Sequence, residues 1–574
     1  VSRGRGAGVR LPAMLALALA STGGGACIFL APFPDVAADP GAEGGGGGGE
    51  SGVDTGTGAD FGLGGGDGGG GEIAEICAPL AEAACYEGPL GTEGRGLCLA
   101  GVATCNADGT GMSACAGQVL PDYEDCETEA DENCDGLGCA GEPVRGVALG
   151  GAGDQRGTAV AVGEDAVVVA GSASGSTDLG GGLTEELGHV GDPDAFVVSF
   201  TRDMRPRFSR RFADSVTRGV ALAPDGDVVI VGGASGDVDF GGGELAGGPG
   251  KGEDVVVARF GADGAHRFSR RFGDGANQFA TAVAVDTAGN AFVTGRFWGT
   301  LDLGTSCRGE PIVLSSEGES DAFLIKLDAT GAVCLAMRYG DAEHHQAGTG
   351  VAIDSEGNLL LAGWFGGTID FGGLELVTQA RSDLFIAKLS AAGDHLWSKN
   401  AEASNAAEAL GVAVDGADNV LVVGSFRSKV TFRERPLTTD DDKDILLVKL
   451  GSNGVARWSE QFGDGADQEG ASVAVDLAGD VFVTGSFLGS IEVGDDVHTA
   501  TGAADAFVAR LDPDGGVRWW RSFGDSGEQR AAAVAVDRLG GSWVAGRFSG
   551  GVDLGSSALA SEGTGDAFLA EIGP

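Results

Sequence analysis

From about residue 145 onward, short apolar runs alternate with polar turns rich in Gly, Asp and Ser. The stretch ASVAVDLAGDVFVTGSFLGS, followed shortly by DAFVARLDPDGGVRWWRSFGD, displays one complete unit. Within it SVAVD and VFVTGSF are joined by LAGD. AFVARL and VRWWRSF are joined by DPDGG, a Pro/Asp/Gly cluster suited to a hairpin with a left-handed residue. Val, Ile, Phe and Trp dominate, and several runs are apolar on both faces. Such runs predict strands covered by neighbours on both sides.

The unit recurs. An acid placed before the third run marks it at Asp194, Asp254, Asp321, Asp383, Asp444, Asp505 and Asp566, with steps of 60, 67, 62, 61, 61 and 61 residues. A glycine inside the second run keeps the same phase at Gly171, Gly232, Gly295, Gly363, Gly424, Gly485 and Gly546. Seven four-stranded units in sequence predict an all-β fold, a seven-bladed β-propeller of antiparallel blades spanning 145–574. The last copy stops after its third strand, and GVALGGAGDQ at 146–155 is expected to supply the missing fourth strand and close the ring. Closure hides two strand edges.

A residue present once per blade marks architecture, because catalysis needs unlike groups converging on one place. The seven aspartates are therefore expected to fix strand-entry turns by bonding backbone two residues on, as are Asp286, Asp354, Asp415, Asp476 and Asp537 after the first strand. The connectors GDGANQ, GDAEHHQ, GDGADQ and GDSGEQ join successive blades. GDSG at 524–527 matches a protease nucleophile motif in letters only, since Gly275, Ala342 and Gly465 stand where Ser526 does. The connector acids form either solvated turns or a rim attractive to calcium. His344 and His345 are adjacent on an extended chain, so their side chains point apart and a shared metal or catalytic site is not expected. No catalytic residues are assigned, and the chain is read as no enzyme.

Composition adds the rest of the chain. The net charge of −47 excludes nucleic-acid backbones and anionic lipid surfaces as natural partners and leaves cations or basic ligands. Arg3, Arg5 and Arg10 precede the apolar run LPAMLALALA, the pattern of an export signal over 1–26. Cleavage falls after Ala20 in a secreted protein, or before Cys27 in GGAC, where Cys27 becomes a lipidated first residue. A membrane is then met only through that lipid, at an outer membrane or cell surface. Residues 27–76 contain a Gly-rich tether too poor in apolar side chains to order itself.

Residues 77–140 hold eight cysteines, Cys77, Cys85, Cys98, Cys105, Cys115, Cys126, Cys134 and Cys139. Export makes disulfides their expected state, in one of 105 pairings. Cys307 and Cys334 form a distant pair expected to pin a lengthened loop of the third blade. Asp131, Asn133 and Asp135 alternate like the start of a calcium loop but lack its closing Glu, so calcium is a candidate ligand there and no other cofactor is indicated.

AVAVDTAGNAFVTGRFWGTLDLG with SDAFLIKLDATG, and their six cousins, resemble the bacterial SBBP-type β-propeller repeats over about three quarters of the chain. The segment from Cys85 to Gly136 resembles a cysteine-rich module of surface proteins from myxobacteria and relatives, to which metal binding has been ascribed. Neither resemblance implies an established activity. The resulting expectation is a monomeric, exported recognition or scaffolding protein that binds a surface protein or glycan through propeller rim loops. Cation-dependent adhesion or metal binding is the alternative, and a propeller-based glycoside hydrolase or lyase a second one.

Overall fold

In the computed structural model the alternating runs become strands throughout 143–572. The structure describes residues 77–574 apart from 89–91, 125–127, 129, 135–140, 176, 180–183, 186–192, 249, 251, 433–434, 441, 495 and 555–556. The expected signal segment, Cys27, the Gly-rich tether, Cys126, Asp135 and Cys139 lie outside the described residues.

The described residues form seven four-stranded antiparallel sheets. Their first strands begin at Gln155, Ser215, Gln278, Gln346, Ala406, Gln468 and Gln529, which start blades one to seven. Blade six runs Gln468–Val475, Val481–Phe487, Asp505–Leu511, Val517–Phe523. Its second and third strands are buried at every position, as expected for strands with a blade on each side. Cores therefore lie between blades. Leu421, Val423, Ile445 and Leu447 of blade five pack against Val483, Phe487, Phe507 and Trp520 of blade six.

First strands pack side by side around the axis. Thr158, Thr281 and Thr349 stitch this inner ring, each hydroxyl donating at 2.7 Å to a carbonyl of the next blade, on Thr217, Gly348 and Ala409. Blade seven is completed by Pro143–Leu149, antiparallel to Asp566–Ile572, with Leu149 opposite Ala567. The expected ring closure is present.

Every first strand carries a β-bulge, as between Gly470 and Ser472, opposite the in-phase glycine of the second strand. The bulge turns a first-strand carbonyl over that glycine. A Cβ on Gly171, Gly232, Gly295, Gly363, Gly424, Gly485 or Gly546 would lie between 1.8 and 2.1 Å from the carbonyl oxygen of Arg156, Val216, Phe279, Ala347, Glu408, Glu469 or Arg530. The repeated glycine is thus demanded by backbone proximity.

The connections between second and third strands are not plain loops. Each carries a two-stranded ribbon, as short as Val238–Asp239 with Glu244–Leu245. The longest pairs Thr300–Thr305 with Pro311–Ser315, and the Cys307–Cys334 disulfide ties it to the blade's fourth strand, Val333–Tyr339.

In the cysteine-rich module, disulfides join Cys77 to Cys105, Cys85 to Cys115 and Cys98 to Cys134 around a small hairpin, Glu82–Cys85 with Gly101–Thr104. The module is bolted to the propeller. The Tyr123 hydroxyl donates to Asp476 Oδ2 at 2.7 Å and accepts from Arg510 at 2.7 Å, while Asn133 Nδ2 reaches the Leu539 carbonyl at 3.4 Å.

Candidate functional site

Four antiparallel strands place the blade connectors and the ribbons at one end of the ring, and the tight turns of each hairpin at the other. The cysteine-rich module occupies part of the turn face, at blades six and seven, where Asp476 and Leu539 lie. Repeated acids stand on both faces, those of the connectors and third-strand starts on the connector face and those after the first strands on the turn face.

These acids build the frame. On the turn side, Asp286, Asp354, Asp415, Asp476 and Asp537 accept backbone N–H groups two and four residues on, as expected; Asp476 Oδ1 takes Ala478 N at 3.0 Å and Asp480 N at 2.9 Å. The seven acids that open the third strands behave differently from the expectation. They are the first residues of the strands themselves and nearly fully buried, and where they bond their own entry segment they reach back rather than two residues on: Asp321, Asp505 and Asp566 accept the N–H groups of Glu317, Thr501 and Glu562, four residues before them. Most reach the fourth strand. Asp194, Asp254 and Asp321 pair with Arg211, Arg271 and Arg338 at 3.0, 2.8 and 2.7 Å. Asp383 and Asp444 receive neutral amides, from Asn400 at 2.9 Å and Gln461 at 2.6 Å. Asp505 has Thr501, four residues back, with its backbone N–H at 3.1 Å.

The connector GD pair follows from this burial. A Cβ on Gly273, Gly340, Gly463 or Gly524 would collide with the carboxylate of Asp254, Asp321, Asp444 or Asp505. The aspartate after each glycine clasps the next blade. Asp274 Oδ2 accepts Thr300 N at 2.7 Å, and its Oδ1 accepts Gln278 Nε2 at 2.9 Å. Gln278 Nε2 also donates to the Trp298 carbonyl at 2.9 Å, which fixes its amide orientation. Asp341, Asp464 and Asp525 repeat the clasp with Gln346, Gln468 and Gln529. Burial works against the charge of Asp341, but the backbone N–H groups of Thr368, Glu343 and His344 outweigh it and hold the carboxyl well below the usual range. Ser526 sits in this clasp, beside Asp525, whose carboxylate takes Gly527 N and Gly551 N at 2.6 and 2.7 Å.

Burial pushes the third-strand acids up even against an arginine, as at Asp194 and Asp321, and furthest where the fourth-strand partner is neutral: Asp383 to about 6, and Asp444, crowded also by Asp464, Asp442 and Asp440, to about 6. An unfolded aspartate titrates near ~4, so the folded protein binds more protons between pH ~4 and ~6, and stability from these groups falls as pH rises through that window. Asp444→Asn mimics the protonated acid. It is expected to raise stability at pH 7.5, by on the order of 1 kcal/mol after solvent screening, and to match the wild type near pH 4. Parallel melting-temperature profiles of the two proteins from pH 4 to 7.5 would contradict this.

The residues considered for calcium are scattered in their duties. The Asn133 backbone N–H donates to Glu124 at 3.1 Å and its side chain faces blade seven; the Asp131 carbonyl accepts from Leu97 at 3.0 Å; Asp135 is outside the described residues. Among the described residues no group of three or more His, Cys, Asp or Glu side chains is placed to hold a metal ion. His344 and His345 point apart as expected. His344 meets Asp341 at 3.1 Å, while His345 meets Ser320 Oγ at 3.1 Å and Glu319 at 3.6 Å.

Departures from the repeat gather on the connector face at blades two to four. The position after the repeated glycine is Ser172, Gly233, Arg296, Trp364, Ser425, Ser486 and Arg547 around the ring. In blade seven, Arg547 is saturated by Asp154 at 2.8 Å and Glu528 at 2.9 Å. Arg296 has no acid. Its guanidinium lies 5.4, 5.2 and 6.0 Å from the ring centroids of Phe279, Trp298 and Trp364. Phe279 and Trp298 meet edge to face at 5.9 Å, and Trp298 meets His345 at 6.0 Å. Arg218 occupies a first-strand bulge where Thr158, Thr281 and Thr349 stand in other blades. It stacks over Phe279 at 4.8 Å and gives Nη2 to Glu253 at 2.8 Å, while its buried Nη1 has no partner. Burial, then the neighbouring Arg218, pushes the Arg296 guanidinium down. Sequence reading singled out His345 of this cluster but not its arginines or indoles.

No family model matches the chain. An uncharacterised WD repeat-containing protein of Acanthamoeba polyphaga mimivirus is 30% identical over 158 residues, covering 25% of this chain and 11% of that protein. The chain thus spans about a tenth of that relative's length. Among solved structures, the Dos1 propeller matches 75% of this chain and 95% of its own at 8% identity and TM-score 0.35. The Neurospora crassa Pan2 WD40 domain matches 75% and 97% at 11% identity and TM-score 0.36. A gluconolactonase of Xanthomonas campestris matches 56% and 82% at 13% identity and TM-score 0.27.

Proposed function

We propose that this protein is a non-enzymatic recognition or scaffolding protein, exported and held at a cell surface, that engages its partner through the connector face of the propeller. The observation that carries this reading is the division of labour among the blades. Groups repeated in most blades are spent on clasps and strand pairing, whereas unrepeated aromatic and basic groups collect on one arc of one face, at Arg218, Phe279, Arg296, Trp298 and Trp364. Rigid frames that vary at one surface are a common design for binding. The docked cysteine-rich module supports the assignment of faces, since it covers part of the opposite one.

The reading is tested with a glycan and protein binding screen of the full chain and of the Trp298→Ala/Trp364→Ala variant. Ligands retained by the wild type and lost by the variant, with unchanged melting temperature, are the expected result. Binding by the variant equal to the wild type across the whole screen would overturn it.

A further inference from the structure

We infer that the arginine–aromatic arc at blades two to four is a binding site for a carboxylated sugar, a hexuronate residue of a glycan. The inference rests on the reading of the connector face as a recognition surface and names the chemistry of its ligand.

The argument starts from which hydrogen-bond donors are left over. A guanidinium that stacks on aromatic rings uses its faces and leaves its N–H groups in the plane to meet an acceptor. Arg296 is held among Phe279, Trp298 and Trp364, and among the described residues it has no hydrogen-bond or ion-pair partner. Arg218 shares the Phe279 ring and keeps its buried Nη1 unpaired, although Glu253 holds Nη2. Burying such a donor without an acceptor costs free energy, and an incoming acceptor recovers it. Both are notable in a chain of net charge −47, where Arg547, at the position equivalent to Arg296, takes two acids.

The forked donors of arginine match a planar oxyanion, and a carboxylate fits the fork with a single charge. A polyphosphate would crowd several charges onto adjacent groups against the field of this acidic protein, whereas a uronate glycan carries one carboxylate per ring and presents them singly. The remainder of the ligand must suit the rings. Phe279, Trp298 and Trp364 are each partly exposed, so some aromatic carbon reaches the surface beside the guanidinium groups. Partly exposed aromatic carbon next to forked donors suits the C–H face of a pyranose, whereas an apolar peptide side chain gains most from enclosure in a pocket. A ring bearing one carboxylate satisfies both the guanidinium and the indoles.

The test is calorimetric titration of the full chain with trigalacturonate, with its fully methyl-esterified form and with a Glu-rich peptide. Trigalacturonate is expected to bind, the ester to bind at least about ten-fold more weakly, and Arg296→Gln to lose about as much as esterification does. Arg296→Lys keeps the charge but not the fork and is expected to fall between. Melting temperatures of the variants within a degree or two of the wild type exclude misfolding as the cause. No binding of trigalacturonate, or equal binding of the ester, overturns the inference, as does binding of the peptide alone. If the screen described above yields a ligand sensitive to Trp298→Ala/Trp364→Ala but indifferent to Arg296→Gln, the uronate site falls and the recognition surface stands. If neither set of variants changes the binding of any ligand, both fall.

Discussion

Gly485→Ala is expected to destabilise the propeller by about 3 kcal/mol or more. The new Cβ would lie 2.0 Å from the Glu469 carbonyl oxygen and 2.9 Å from the Phe507 ring. Neither can yield cheaply. The carbonyl belongs to a bulged first strand of the inner ring, and Phe507 is itself stacked on Trp520 at 4.3 Å. Gly465→Ala is the matched control, since a Cβ there meets nothing within 4 Å and the backbone is not left-handed. It is expected to stay within about 0.5 kcal/mol of the wild type. Equal denaturation midpoints for the two variants would mean that the bulge relaxes freely.

The second large effect is expected at Arg510. This side chain is 1% exposed and joins three groups: Asp480 at 2.8 Å, Asp476 at 3.2 Å and the Tyr123 hydroxyl at 2.7 Å. It also covers the Phe482 ring at 5.2 Å. Among the described residues, removing it leaves the buried Asp476 with no cation and Asp480 with only Arg518, at 2.7 Å, and breaking such a network by one partner costs about 3–5 kcal/mol. Arg510→Ala is therefore expected to lower stability by that amount and to raise amide exchange across residues 92–124 of the module. Arg510→Lys recovers only part. Lys388 and Lys449 hold the same place in blades four and five, each bridging to a single acid, Asp354 at 2.7 Å and Asp415 at 3.0 Å. Unchanged exchange in the module of Arg510→Ala would show that its docking is carried by other contacts.

Much of the frame was legible in the sequence because it is local or repeated. The seven in-phase aspartates and glycines counted the blades, and the turn aspartates such as Asp415 and Asp476 declared themselves by spacing to their own backbone. What the aspartates at third-strand starts do was not legible, since their partners sit across a hairpin and vary: Arg211, Arg271, Arg338, Asn400 and Gln461 share a place but not a residue type. The ribbons escaped notice because pairs such as Val238–Asp239 with Glu244–Leu245 are too short to establish a period. The arginine–aromatic arc was hidden for another reason. Arg218, Phe279, Arg296, Trp298 and Trp364 are ordinary strand residues along the chain and meet only when three blades stand side by side. Tyr123 likewise gives no local sign that it will bind Asp476.

The closing strand has a kinetic consequence. Arg145 and Glu571, paired at 2.5 Å in blade seven, are 426 residues apart in the chain. Contacts of such separation form late and slowly. Until they form, Pro143–Leu149 and Asp566–Ile572 each present an open strand edge, and two molecules in that state can exchange them. Refolding at high protein concentration is thus set to yield strand-swapped dimers alongside monomers, with the seam of blade seven as the crossing point.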